Sequence, residues 1–138
     1  MESTRADGYT VTTDPERVDL DAVWGFLRTS YWSPGIEREK VAAAVANSMP
    51  FSLLDPSGAQ VGFARVVTDR VHFAWLGDVY VLEAHRGHGL GVWLVETVVA
   101  HPDLAPLRMV LATADAHELY ARFGFGAVDA TRMMERRP

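Results

Sequence analysis

A chain of 138 residues with a formal charge of −5, 49% apolar and 22% charged residues has the length for one domain and the balance of an ordinary globular protein. Its 13 basic residues are scattered, with Arg136 and Arg137 the only basic pair, so a footprint for nucleic acid is missing. No cysteine is present, which excludes disulfides, thiolate nucleophiles and cysteine-based zinc sites and fits a cytoplasmic protein. The N-terminus lacks a signal-peptide run, and no window reaches the roughly 20 apolar residues of a membrane span.

In chain order, Tyr9 to Thr13 alternates weakly and reads as a first short strand. Asp14-Pro15-Glu16 then carries a cap and a helix-starting proline. Leu20, Val23, Trp24 and Leu27 follow at helical spacing, so a helix is expected over about 15–29. Tyr31-Trp32-Ser33-Pro34-Gly35 interrupts it, and Glu37 to Ser48 reads as a second helix. From Phe51 the period becomes that of strands. Asp55-Pro-Ser-Gly58 and Thr68-Asp69-Arg70 are turns, so three strands, the last over 71–81, form an antiparallel meander.

Leu90 to Val99 presents a broad apolar helical face, and His101-Pro102-Asp103 ends it. Leu107 to Thr113 reads as a strand, Asp115 to Phe123 as a short helix begun by Asp115 and stopped by Gly124, and Gly126 to Glu135 as a last strand. The order β-α-α-β-β-β-α-β-α-β implies one α/β (α+β) domain over 1–138, with a mixed sheet and helices on both faces. The crossover before the strand at 107 makes that strand parallel to the one at 71–81. Exposed strand edges leave room for a homodimer.

The most informative stretch is the junction Val79-Tyr80-Val81 to Arg86-Gly87-His88-Gly89-Leu90-Gly91, where a strand breaks into a glycine loop and then a helix. Small residues let the backbone approach a ligand, and the helix start offers unpaired N–H groups, an arrangement suited to phosphate. No Lys follows the loop, which excludes a nucleotide-hydrolase P-loop. Val92 stands where a dinucleotide fingerprint needs its third glycine, and the loop falls after a meander instead of after a first strand.

Arg86-Gly-His-Gly-Leu-Gly91 resembles the Arg/Gln-x-x-Gly-x-Gly/Ala acetyl-CoA loop of the GNAT superfamily of N-acetyltransferases. Leu119-Tyr-Ala-Arg-Phe-Gly-Phe125 resembles that family's Leu-Tyr-x-x-x-Gly-Phe, and Val79-Tyr-Val81 its fourth strand. The resemblance covers essentially the whole chain. It implies that Arg86, Gly87, His88, Gly89, Leu90 and Gly91 bind the pyrophosphate, and that Val79, Tyr80 and Val81 hold the pantetheine arm through their main chain. Thr113, Tyr120 and Phe123 complete the cofactor set. Trp75 stands about where one family pattern has a glutamate, and Thr113 where many members have an asparagine.

Tyr120 matches the tyrosine that protonates the departing sulfur in many members; its other reading is packing of helix on sheet. Asp78 is the nearest acid for the amine. A lone carboxylate in the middle of a sheet is costly, so it either contacts substrate or meets a local backbone or Arg partner. Solvent or an Asp78/His72 relay is the expected base. Tyr31, Trp32, Trp75 and Asp78 are the expected acceptor pocket. His85-x-x-His88 is the only close histidine pair, it flanks the loop, and no metal is expected. The expectation is direct transfer from acetyl-CoA to a primary amine of a small molecule, with a protein or peptide N-terminus as second reading and a non-catalytic acyl-CoA-binding module as third.

Overall fold

The computed structural model describes residues 1–138. A six-stranded sheet runs in the order β1 (Glu2–Thr4), β2 (Thr10–Thr12), β3 (Met49–Leu54), β4 (Gln60–Thr68), β5 (Phe73–Val81), β6 (Arg108–Val110). Every neighbouring pair is antiparallel except β5 and β6, which are parallel, as a crossover through a helix requires. That crossover is α3 (Leu90–Ala100); α1 (Leu20–Leu27) and α2 (Arg38–Ala46) lie between β2 and β3, and α4 (His117–Ala121) follows β6.

The helices divide between the two faces. On one face, Leu90, Leu94, Val95 and Val98 of α3 pack on Phe51, Leu53, Val66 and Leu76, all buried. On the other, Val23 and Leu27 of α1 and Val41 of α2 close over Phe63 and Tyr80. Tyr80 lies flat on Phe26, with ring centroids 3.9 Å apart. No helix is long and apolar enough to cross a membrane.

Four expectations are corrected. The helix from residue 15 is split: Pro15–Arg17 is a single 3-10 turn that Asp14 caps by accepting from Glu16 N–H, and α1 starts only after Asp19, which accepts from Ala22 N–H. The break has a cause in tertiary structure, because Asp19 N–H donates to the buried Gln60 Oε1 at 2.6 Å, which holds that residue extended. Before the first expected strand there is another, β1, joined to β2 through a turn with Gly8 at φ +91°.

Asp115 does not cap α4. The N-cap is Ala116, without a side-chain cap bond, and Thr113 Oγ1 accepts from Ala116 N–H at 3.1 Å in the turn before the helix. Finally, Gly126 to Glu135 forms no strand. Asp129 accepts from the N–H and hydroxyl of Thr131, and its carbonyl accepts from Arg132 and Met133, so a local turn takes the backbone groups that a ladder would need.

Candidate active site

The glycine loop has the conformation an anion site needs. Gly87 and Gly89 sit at φ +85° and +70°, where a side chain is strained, and Gly89 is the N-cap of α3. None of the N–H groups from Gly87 through Val92 has an acceptor within the protein; the first closed bond of the helix is Trp93 N–H to Gly89 O. A Cβ built on Gly87, Gly89 or Gly91 meets nothing within 4 Å. These donors therefore face open space at the positive end of a helix dipole. The buried Leu90 side chain anchors the turn in the core, while His88 is exposed.

Beside this cradle the sheet opens. β5 and β6 pair only through Phe73–Trp75 and Arg108–Val110, so beyond that point the two strands splay. Leu82 N–H donates to Val61 O, which by strand alternation turns the main-chain groups of Tyr80 toward β4 and those of Val79 and Val81 toward the opening. Arg86 Nε donates to Val81 O at 3.0 Å, which ties the loop to the end of β5. Neither main chain nor ring of Tyr80 faces the opening, since the ring is buried on Phe26, where burial pushes its phenol far above the ordinary value.

A β-bulge sits at the mouth of the opening. Phe63 pairs with Tyr80 and Arg65 with Gly77, so Ala64 opposes Asp78 and Val79 together, and Asp78 takes φ +53°. Asp is among the few side chains that tolerate this region. The bulge shifts the alternation of β5 and turns Asp78 to the α1 and α2 face, against Arg65. Asp78 Oδ2 accepts from Arg65 Nε at 2.7 Å and Oδ1 from Trp32 Nε1 at 3.0 Å. The Arg partner that the sequence reading allowed for Asp78 is present, and the residue also lines the opening.

The opening is a cavity of about 560 Å³. Tyr31, Trp32, Trp75, Asp78, Thr113 and Tyr120 all line it, so the four residues of the expected acceptor pocket lie around one cavity. Tyr31 and Trp32 cross it as a strap: Trp32 bonds to β5 through Asp78, and Tyr31 Oη accepts from Ala114 N–H, beyond β6, at 3.1 Å. A second cavity, lined by Val92 in the first turn of α3, by His117 of α4 and by Arg122 just after it, shares Ala114, Asp115 and Ala116 with the first. The second cavity thus adjoins the chamber and reaches the end of the cradle at Val92.

Tyr120 is 8% exposed, edge-on to Phe125, lines both this cavity and one beside Ala121 and Val128, and its hydroxyl has no protein partner. Burial first, then the neighbouring Tyr31 and Asp115, push its phenol up to about 12, so it carries its proton at neutral pH. Phe123 stands apart, in a different cavity with Val99, Leu104 and Met109. His72 lies exposed on the turn before β5, its N–H donating to Asp69, and His85 Nδ1 is 2.8 Å from Tyr9 Oη. Sequence reasoning missed Arg65 and Ala114, which act through partners far away in the chain, and Arg137, which returns to the cavity wall from the irregular C-terminal segment. The Gly77-Asp78 pair, interrupting an apolar alternation, was the one local sign of the bulge.

Residues 41–126 match the family model described as the acetyltransferase (GNAT) domain. FG08082 of Gibberella zeae, assigned as an acetyltransferase, is 30% identical over 142 residues, covering 86% of this chain and 78% of its own. A crystal structure from Xanthomonas campestris pv. campestris, assigned as an acetyltransferase of the GNAT family, is 40% identical with a TM-score of 0.91, over 99% of this chain and 96% of the other. An acetyltransferase structure from Clostridium acetobutylicum that contains acetyl-CoA shares the fold at a TM-score of 0.67 and 13% identity, over 99% and 96% of the two chains. With the matched domain spanning more than half its length and centred on the cradle and the splayed strands, this chain belongs to the GNAT acetyltransferase family.

Proposed function

We propose that this acetyltransferase binds acetyl-CoA at the cradle and transfers the acetyl group to a primary amine of a small molecule that enters the strapped chamber. The observation that carries this reading is an unpaired N–H cradle whose end, at Val92, lines a cavity adjoining the chamber that Tyr120 lines. The cradle fits a diphosphate, since it offers donors without any side chain in the way, and the edge of β5 at Val79 and Val81, unpaired by β6 and with Val81 O already held by Arg86, fits an amide-bearing arm. The Clostridium acetobutylicum structure with acetyl-CoA supports the same cofactor.

When bound, acetyl-CoA supplies an acyl group already activated as a thioester. The N–H groups of Gly87 to Val92 bind and orient, and the main chain of Val79 and Val81 aligns the reacting end between β5 and β6. Tyr120 Oη holds a proton on the chamber side, available to the departing sulfur, and its raised pKa keeps that proton in place until charge develops there. The amine's own proton leaves to solvent. Tyr31, Trp32 and Trp75 wall the acceptor, and Thr113 holds the start of α4 so that Tyr120 faces the chamber. A chamber of about 560 Å³ bridged on both sides supports a small molecule over an extended peptide.

The test is thiol release from acetyl-CoA with a panel of propylamine, 2-phenylethylamine, glycine, lysine, spermidine and a tripeptide with a free N-terminus. Release with one of the small amines, and a weaker response to the tripeptide, is expected. Release with the tripeptide alone would replace the small-molecule reading, and calorimetry showing no CoA binding would remove the cradle assignment.

A further inference from the structure

The Asp78 carboxylate is committed on both sides. Arg65 donates to one oxygen and Trp32 to the other, and neither donor can accept in return. Arg65 is itself fixed, since its Nη1 donates to Ser48 Oγ at 2.9 Å and that hydroxyl donates to Ala44 O of α2 at 2.6 Å. The ion pair is largely shielded, with the Asp78 side chain 12% and that of Arg65 19% exposed. A chain of bonds therefore runs from α2 through β4 to the bulge of β5 and ends on the indole of Trp32.

Trp32 needs that end. Its main chain makes no backbone hydrogen bond, and the residue is 39% exposed, its ring resting against Phe26 and nearly perpendicular to Tyr31. The bond to Asp78 is the one polar tether of this residue.

We propose that Asp78 is a positioning residue, held by Arg65, which fixes Trp32 as a wall of the acceptor chamber and so sets acceptor affinity instead of accepting the amine's proton. This rests on the acceptor reading of the chamber given above. The left-handed bulge is what makes the arrangement possible, because without the extra residue in β5 the side chain at 78 would point to the α3 face. Replacing Asp78 by Asn keeps shape and tolerates φ +53°, but a carboxamide has one acceptor oxygen for two donors, and the charged Arg65 takes it.

The experiment compares wild type, Trp32→Phe, Asp78→Asn and the double variant, using acetyl-CoA and the panel amine with the highest wild-type kcat/KM. Each single change is expected to raise acceptor KM about tenfold with kcat within about threefold, and the double variant to add little beyond either single. The acid limb of the kcat/KM profile is expected to stay in place in Asp78→Asn. In proton–nitrogen spectra, the Trp32 indole signal, identified by its loss in Trp32→Phe, is expected to shift and exchange faster in Asp78→Asn. A fall in kcat of about a hundredfold in Asp78→Asn together with a lost acid limb, while Trp32→Phe behaves as wild type, would identify a base and overturn the proposal. An unchanged KM in Trp32→Phe would overturn it as well, and that variant decides the matter if Asp78→Asn does not fold. If wild type turns over no amine, the proposed function fails by itself, and the Trp32 signal in Asp78→Asn still reads the tether: an unchanged signal refutes it.

Discussion

Gly91→Ala separates what the glycine loop does for folding from what it does for binding. Gly91 lies in the first turn of α3 with ordinary helical φ, and a Cβ there meets no atom within 4 Å. An Ala at an interior helical position is worth about 0.8–1 kcal/mol over Gly, somewhat less in a first turn, so stability is expected to rise by about 0.5–1 kcal/mol. For a chain of this size that is an increase in Tm of roughly 2–5 °C. The same methyl stands at the position where the resembled acetyl-CoA loop carries Gly or Ala, so CoA binding is expected to stay within about twofold of wild type, a change below about 0.4 kcal/mol. Gly89→Ala is the contrast, because its φ of +70° imposes strain of about 1–2 kcal/mol, so stability and binding fall together. Thermal unfolding and calorimetry with CoA read both quantities. A Gly89→Ala variant that loses stability yet binds CoA as tightly as wild type would refute the placement of the diphosphate at this turn.

Tyr120→Phe is expected to lower kcat by about a hundredfold or more with little change in acceptor KM, read by thiol release, because it removes a proton donor and keeps the packing on Phe125. Since the Tyr120 phenol stands at about 12 when folded, the stabilisation from keeping it neutral is full below the ordinary tyrosine value near 10 and lost as pH rises toward 12; Tyr80 shifts the same way. Urea midpoints should therefore hold level from pH 7 to 10 and fall above it, with a smaller fall in Tyr120→Phe. Asp69 shows the opposite sign: the N–H groups of His72, Val71 and Phe73 hold its carboxylate at about 2, so its contribution is full above the ordinary value near 4 and lost as pH falls toward 2. Asp69→Ala should accordingly flatten the acid side of the stability profile. Gln60→Leu is expected to cost about 2–4 kcal/mol in denaturant titration, since it strands the N–H of Asp19, the hydroxyl of Ser52 and the carbonyl of Gly62.

The sequence by itself determined what is local and periodic. Leu90, Leu94 and Val98 at helical spacing, the alternation of β3 to β5, and the glycines that permit positive φ at 87 and 89 each act within a few residues, so α3, the meander and the cradle were legible in advance. The motif around Leu119 to Phe125 likewise named Tyr120. Tertiary structure decided the rest, because those features depend on partners distant in the chain. Gln60 cuts the first helix at Asp19 from 41 residues away, and the turn at Asp129 leaves 126–135 out of the sheet. The bulge brings Asp78, Arg65 and Trp32 together from three elements, and Tyr31 meets Ala114 across 83 residues. Backbone conformation at a glycine is a property of that residue; the use of a carboxylate depends on which donors the fold places beside it.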